Sequence, residues 1–252
     1  MKTAIVIPAR YASSRLPGKP LLHATGKYLI QHVYERACQS RAGSVIVATD
    51  DERIVEAVRS FGGRVELTRS DHATGTDRVA EVARRLDADV VINLQGDEPL
   101  IEPSSLDLLP RLLARDPDAD VATLAVPITS VEQWRDPACV KVVCDACGRA
   151  LYFSRSPIPF VRDGLLDFER EPSCFLQHVG LYAYRRRFLL SLAALPPEPL
   201  EELEKLEQLR VLALGRRIHV GVVQHAGRGV DTPADYERFV ETYRQSQPAQ
   251  AA

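Results

Sequence analysis

Ala4-Ile5-Val6-Ile7-Pro8-Ala9-Arg10-Tyr11-Ala12-Ser13-Ser14-Arg15-Leu16-Pro17-Gly18-Lys19-Pro20-Leu21 is the stretch from which the rest of the chain is read. Ala4, Ile5, Val6 and Ile7 form a short continuous apolar run, the pattern of a strand buried on both faces. Pro8 has no N–H and a fixed φ, so the ladder is expected to stop there. The loop that follows carries three permanent cations, Arg10, Arg15 and Lys19, with the small residues Ser13, Ser14 and Gly18 between them. In open α/β sheets, ligands bind at the carboxyl ends of parallel strands. Small residues let backbone N–H groups approach an anion, and Arg and Lys supply charge that a polyphosphate needs. Two readings stand at this point: a triphosphate cradle, or a solvated basic turn. A Walker A loop is excluded, because Pro20 follows Gly18-Lys19 and no glycine stands five positions before Gly18.

Outward from this stretch, strand and helix patterns alternate. Residues 28–39 place Leu29, Ile30, Val33, Tyr34 and Ala37 at helical spacing, and residues 44–48 read as a second buried strand. Thr49 or Asp50 is expected to cap a helix over 51–61, which Gly62-Gly63 ends. A short strand over 64–67, a polar loop, a helix over 77–86 and a third strong strand over 89–94 follow. The last of these runs into the polar loop Gln95-Gly96-Asp97-Glu98-Pro99. A helix over 102–114 and a strand over 121–126 complete an α/β pattern, expected to form a doubly wound, mostly parallel sheet.

The second half reads differently. A hairpin is expected on either side of residues 145–148, and Pro157 and Pro159 forbid a central strand after it. Residues 162–174 read as an irregular loop and 176–184 as a strand. Leu203, Leu206, Leu209 and Leu212 recur every three residues in one predicted helix over 201–214. A strand over 217–223 and a last helix with Pro233 in its first turn follow, and residues 245–252 read as a frayed tail.

Composition narrows the classes. A chain of 252 residues with 45 % apolar and 26 % charged residues can build one large α/β domain or two small ones. The net charge of −2 gives no global attraction to nucleic acid or to an anionic membrane, and no basic stripe with interleaved aromatics occurs. No run of eighteen apolar residues is present, and no signal-peptide pattern precedes the first strand. A cytoplasmic protein without membrane partners is expected. Cys38, Cys139, Cys144, Cys147 and Cys174 are an odd set and are expected to be free thiols. Cys144 and Cys147 have metal-ligand spacing, but no second close pair accompanies them, and strand–turn–strand is the simpler reading.

Two acidic positions carry candidate chemistry. Asp97 lies on a loop expected beside the cationic one, where a carboxylate would repel a polyphosphate unless it holds a bridging Mg²⁺. Asp231, after Gly229-Val230, is a candidate second ligand. The plain alternatives are a turn residue for Asp97 and a helix cap for Asp231.

These residues belong to an ordered set: Ile7-Pro8-Ala9-Arg10-Tyr11, Arg15-Leu16-Pro17-Gly18-Lys19-Pro20-Leu21, Val47-Ala48-Thr49-Asp50-Asp51, Gly75-Thr76-Asp77-Arg78, Asn93-Leu94-Gln95-Gly96-Asp97-Glu98-Pro99, Tyr152-Phe153-Ser154-Arg155, Gln177-His178-Val179-Gly180, Leu206-Glu207-Gln208-Leu209-Arg210 and Gly229-Val230-Asp231-Thr232. In this order the set resembles the sugar-acid cytidylyltransferases, and among them the 3-deoxy-manno-octulosonate (Kdo) cytidylyltransferases or CMP-Kdo synthetases. The resemblance runs from residue 3 to about 240. Ser14 stands where Thr is common, Ala73-Thr74 precedes Gly75 where a Ser is usual, and Cys144 and Cys147 lie outside the pattern.

The resemblance implies a nucleotidyl-transfer fold with a smaller β-rich insertion for the sugar acid and the dimer contact. It implies the reaction CTP + Kdo → CMP-Kdo + diphosphate in lipopolysaccharide biosynthesis, with Mg²⁺ and as a homodimer. It divides a single 1–252 domain into a mainly nucleotide-binding half (1–126), a mainly sugar-acid-binding and dimerisation half (127–225) and a returning metal-binding segment with the last helix (226–246). Position by position, Arg10, Ser13, Arg15, Lys19, Gly75, Arg78 and Gln95 would bind the nucleotide. Lys19, Asp97 and Arg15 would carry catalysis, and Asp97 and Asp231 the metal. Arg155, Gln177, His178, Tyr182, Glu207 and Gln208 would line the sugar-acid pocket. Taken singly, each has a plainer reading: His178 as a satisfied strand histidine, Tyr182 as packing, Glu207 and Gln208 as a solvated helix face, Arg155 in an ion pair, Arg78 and Gln95 as ordinary solvated or turn residues. The sequence forces no general base; metal coordination, with help from Asp97, would lower the hydroxyl pKa. The rival readings are a cytidylyltransferase for 8-amino-Kdo or sialic acid, and a nucleotide-sensing module without turnover.

Overall fold

The apolar run becomes β1 (Thr3–Ala9), with Ile5 and Ile7 removed from solvent. Each such side chain contributes roughly 1.5–3 kcal/mol of burial. The computed structural model describes residues 1–12, 16–164 and 167–246. Ser13, Ser14 and Arg15 lie outside the described residues. Contrary to expectation, Pro8 does not end the strand: it pairs in register with Ala48, and Ala9 with Thr49. A proline removes one donor but keeps its carbonyl, a small loss near a strand's end.

The chain divides into two compact units. The first comprises Lys2–Asp87, Asn93–Ser104 and the chain from Gly227. After β1 come α1 (Leu29–Cys38), β2 (Ser44–Thr49), α2 (Glu52–Ser60), β3 (Val65–Leu67) and α3 (Gly75–Ala83). The order is β3-β2-β1, all parallel. Asp51, not Thr49 or Asp50, caps α2 by accepting from Arg53 N, and Gly62 follows its end at φ +77°. Thr74 and Asp77 close a capping box at the start of α3. The last helix of the chain, Pro233–Ser246, packs on α1, where His32 meets Phe239 and Tyr243 edge-on. Gln245 and Ser246 are thus helical, not frayed; residues 247–252 lie outside the described residues.

The second unit comprises Met1, Ala88–Ile92 and Ser105–Ala226. It holds most of β4 (Val90–Asn93) and α4 (Pro103–Arg115), then β5 (Ala119–Pro127), α5 (Val131–Arg135), β6 (Lys141–Cys144), β7 (Ala150–Ser154) and β8 (Leu176–Arg185). It ends with α6 (Arg186–Leu192), α7 (Pro199–Glu204), α8 (Gln208–Ala213) and β9 (Arg217–Val222), so that the last helix is α9. The order β4-β8-β5-β9 is mixed: β9 lies parallel to β5, β8 antiparallel, and the β6–β7 hairpin joins β8 through β6. The α/β class, its parallel strands and its β-rich later part are as expected. The short α5 and α6 were not, and the predicted 201–214 helix is two helices. It breaks at Lys205, which stands in the left-handed region at φ +53°. All five cysteines are free.

Candidate active site

In the first unit the site is built at the carboxyl end of β1. Leu94 N donates to Val6 O, which lays the loop after β4 alongside β1. A Cβ on Gly96 would stand 2.9 Å from Pro8 O, so only glycine lets the backbones approach this closely. Gly18, at φ +66°, donates to Tyr11 O and turns Lys19 into a short 3₁₀ turn. Lys19 Nζ then reaches Asp97 Oδ2 at 2.7 Å and Asp231 Oδ1 at 3.1 Å. Val230 N donates to Asp97 O at 2.8 Å, which fixes the Asp231 segment on the same loop.

Electrostatics follow from that arrangement. Burial disfavours the Lys19 charge, but the hydrogen bonds and charges of Asp97, then Asp231, outweigh it and raise its pKa. Glu98 lies close by. Burial, then repulsion by Asp97 and Asp231, pushes its carboxyl up to about 8. The corner therefore sets one cation between two acidic side chains, beside a third acid whose proton is held to a higher pH than usual.

The other predicted nucleotide residues take up varied positions. Arg10 Nη2 donates to His72 O at 2.8 Å. Gly75 opens α3, 3.5 Å from the Pro8 ring when given a Cβ, so the helix N-terminus lies beside the end of β1. Gln95 donates to Asn93 Oδ1, and Asn93 to Thr76 Oγ1. Arg78 is fully buried, with Nη1 on Thr68 Oγ1 at 2.5 Å and Nη2 on Asp50 at 2.9 Å. Its Nε has no partner among the described residues. Arg78 acts here as a brace inside the unit.

The second unit gathers the predicted sugar-acid residues around β8. The β5–β8 pairing shifts register after Thr123, and Thr123 Oγ1 lies 2.9 Å from Leu181 O and 3.1 Å from Val179 O. Those carbonyls only accept, so the hydroxyl proton goes to them. His178 Nε2, 3.0 Å from the same oxygen, must be the donor. Burial lowers the His178 pKa to about 3, so the ring is neutral and its Nδ1 is an acceptor. Its ring packs edge-on to Phe153 and beside Tyr182, whose own pKa burial, Tyr184 and Glu207 raise. Gln177 Oε1 accepts from Gln133.

Arg155 donates to Glu204 O at 2.8 Å, Pro137 O at 3.0 Å and Lys205 O at 3.5 Å. These bonds use three of its five N–H groups, and one remains on each terminal nitrogen. Glu207 pairs with Arg210 at 3.1 Å. Gln208 is 6 % exposed, and its Nε2 donor has no partner among the described residues. A buried amide nitrogen without an acceptor is costly, and a bound hydroxyl would satisfy it.

A family model described as cytidylyltransferase matches residues 4–218. The chain belongs to the cytidylyltransferase family. Among members of that family, the 3-deoxy-manno-octulosonate cytidylyltransferase of Geobacter metallireducens is 52 % identical over 248 residues, 96 % of this chain and 97 % of that protein. The protein of the same name from Halorhodospira halophila is 52 % identical over 240 residues, 92 % and 93 % of the two chains. A solved structure of CMP:2-keto-3-deoxy-manno-octonic acid synthetase complexed with CTP superposes with a TM-score of 0.91 at 48 % identity, covering 98 % of this chain and all of that one. A cytidylyltransferase structure from Leptospira borgpetersenii, 18 % identical, shares the fold at a TM-score of 0.64 over 100 % of this chain and 90 % of its own.

Sequence reasoning about this cytidylyltransferase missed several residues. Glu98 stands inside the 93–99 motif, but burial of a loop carboxylate leaves no trace in the sequence. Thr123, which fixes the His178 tautomer, reads as an ordinary strand residue. Glu204 accepts from Ser154 Oγ at 2.6 Å and Arg155 N at 2.9 Å, and reads as a helix-surface acid. Lys141, fully buried and bonded to Asp136 O and Arg155 O, had no signal at all.

Proposed function

We propose that this chain transfers CMP from CTP to 3-deoxy-manno-octulosonate, releasing diphosphate, for lipopolysaccharide biosynthesis. The observation that carries this reading is the corner where Lys19 lies between Asp97 and Asp231. It sits at the end of β1, in a chain 52 % identical to proteins of that activity.

The donor set fits a divalent cation. Mg²⁺ is commonly held by one or two carboxylates plus substrate phosphates, and no group of three His, Cys, Asp or Glu suited to a metal occurs among the described residues. A divalent cation between Asp97 and Asp231 would offset their negative charge and make the corner attractive to a triphosphate. Asp97 and Asp231 would hold Mg²⁺, which when bound offsets charge on the reacting phosphates. Lys19 brings a fixed cation towards the leaving diphosphate. Arg10, Ser13, Arg15, Gly75 and Gln95 hold the nucleotide, and the fully buried Arg78 braces the first unit from inside.

In the reaction the anomeric hydroxyl loses its proton, to water or to the Asp97 carboxylate, and its oxygen forms a bond to the α-phosphorus while the bond to the leaving diphosphate oxygen breaks. The residues of the second unit orient that acceptor. The remaining N–H groups of Arg155 suit the carboxylate, and Gln177, Glu207 and Gln208 suit the hydroxyls. His178 Nδ1 offers an acceptor, and Tyr182 a packing face with a polar tip. Residues 1–126 thus serve mainly the nucleotide, 127–225 mainly the sugar acid, and 226–246 return Asp231. A homodimer in the cytoplasm is what the likeness to the Kdo cytidylyltransferases implies for this chain, and no described helix is long and apolar enough to cross a membrane.

The test is diphosphate release with Mg²⁺, crossing CTP, UTP, ATP and GTP against Kdo, 8-amino-Kdo and N-acetylneuraminate. Release with CTP plus Kdo, abolished by chelator, is expected. Release with another sugar acid would replace the acceptor, and CTP binding without release would replace the enzyme by a sensing module.

A further inference from the structure

Leu203, Leu206, Leu209 and Leu212 favour one unbroken helix, and the structure interrupts it at Lys205. Lys205 is the one non-glycine residue with positive φ among the described residues, a conformation L side chains rarely adopt. The interruption leaves Leu203 81 % exposed while Leu206 is 5 % exposed. Local preference has therefore been overridden, and such conflicts cluster at functional sites.

Both arms of the break are clamped. Arg155 Nε donates to the Glu204 carbonyl, and its Nη2 lies 3.5 Å from that of Lys205. The Glu204 carboxylate in turn accepts from Ser154 Oγ and Arg155 N, at the end of β7. On the other side Arg210, 4 % exposed, places Nε 3.1 Å from Glu201 of α7 and Nη2 3.1 Å from Glu207, and donates to Leu195 O. Its Nε contact with Glu201 is an ion pair without hydrogen-bond alignment. Glu207 and Gln208 come directly after the break. In an unbroken helix Glu204 and Gln208 would share one face as an i, i+4 pair. The break uncouples them, so Glu204 can serve the β7 end while Gln208 turns inward with its Nε2 unpartnered.

We propose that the left-handed break at Lys205, clamped by Glu204 and Arg210, is a positioning device that sets Glu207 and Gln208 for the acceptor's hydroxyls. It governs affinity for the sugar acid and leaves affinity for CTP alone. The inference rests on the sugar-acid reading of Glu207 and Gln208, so those two residues supply the reference variants.

The experiment measures KM for Kdo and for CTP, with thermal midpoints, in the series Lys205→Gly, Lys205→Asn, Lys205→Ala and Lys205→Val, alongside Glu204→Gln, Glu207→Gln and Gln208→Leu. Glycine and asparagine accept the left-handed region; alanine resists it and valine resists it most. Kdo KM should stay within about twofold of the parent for Gly and Asn, rise with Ala and rise about tenfold with Val, at constant CTP KM. Glu204→Gln should raise Kdo KM in the same selective way. If Val does not fold, Ala against Gly carries the comparison. A flat series, or Kdo and CTP KM rising together, overturns the proposal when Glu207→Gln and Gln208→Leu still raise Kdo KM. If those two are silent as well, the sugar-acid reading has failed and the positioning role falls with it.

Discussion

The corner around Lys19 and the pocket around His178 recognise by opposite means. The first concentrates charge: one ammonium between two carboxylates, carried on loops and drawn together by glycine contacts. The second relies mainly on neutral groups, a neutral imidazole, a phenol held un-ionised and a buried amide donor, beside Arg155 and Glu207, which are partly engaged with the chain's own carbonyls and with Arg210. Charge suits a triphosphate, whose oxygens all look alike. Directed neutral groups suit a polyol, where discrimination comes from which hydroxyl meets which donor. The corner should therefore fail through loss of rate and the pocket through loss of acceptor affinity.

The sharpest break of that contrast is Asp97→Asn. It keeps the shape of the corner and removes one of its two anions, so kcat should fall about 10²–10³-fold at saturating Mg²⁺. Kdo KM should move little. Near-normal diphosphate release would refute the metal role of Asp97. Gln208→Leu is the counterpart in the pocket. It should raise Kdo KM about tenfold with kcat nearly kept. Because it also removes an unpartnered buried donor, the thermal midpoint should hold or rise. A lowered midpoint would mean that Gln208 has a structural partner.

The same contrast explains what could be read before the structure. Part of the corner was legible because the signals of the β1 loop and of Asp97 are local, an apolar run, cations spaced by small residues and an acid at a predicted strand end; that Asp231 joins Lys19 from 212 positions away was not. Even Pro8 misled only about where β1 stops. The pocket was legible only as a resemblance, since His178, Tyr182 and Gln208 individually look like core or surface. What fixes them lies far away in sequence. Thr123 sets the His178 tautomer from 55 positions off, and Glu204 receives Ser154 from 50. The Lys205 break was hidden because the leucine spacing around it argues for continuity, and only tertiary hydrogen bonds to carbonyls overrule it. Glu98 is a case between these, since its place was plain but its burial was not.

A smaller effect tests how the corner is assembled. A Cβ at Gly227 would stand 3.0 Å from the Leu100 carbonyl oxygen, whereas one at Gly229 meets the Glu98 carboxyl at 3.1 Å. Backbone yields less readily than a side-chain tip. Gly227→Ala should therefore cost about 1–3 kcal/mol of stability and raise the Mg²⁺ requirement by displacing the Asp231 segment. Gly229→Ala should cost less. Equal effects in urea titration and Mg²⁺ dependence would show that the spacing of the acids is not set by this approach.

The smallest effect concerns acid. Burial lowers His178 to about 3, and burial with the Lys27 charge lowers His32 to about 4, against an ordinary value of 6.5. Both are neutral in the folded chain, so the unfolded chain binds more protons at any pH between the two values. Stability is then complete above about pH 6.5 and declines as pH falls, by up to about 1.4 kcal/mol per pH unit for each histidine. Glu98 has the opposite sign: its raised pKa favours the folded state at low pH and loses that contribution as pH rises towards 8. The histidine contributions are therefore read as differences between variants, not from the parent's slope. His178→Gln keeps a donor for Thr123, and His32→Gln keeps a partner for Thr25. Each should flatten the fall in unfolding free energy, read by urea titration, between pH 7 and about pH 5 by up to about 2 kcal/mol. Were His178→Gln to leave that slope unchanged, His178 would already be charged or solvated in the folded chain. The neutral acceptor assigned to the pocket would then be lost, and with it half of the contrast with the corner.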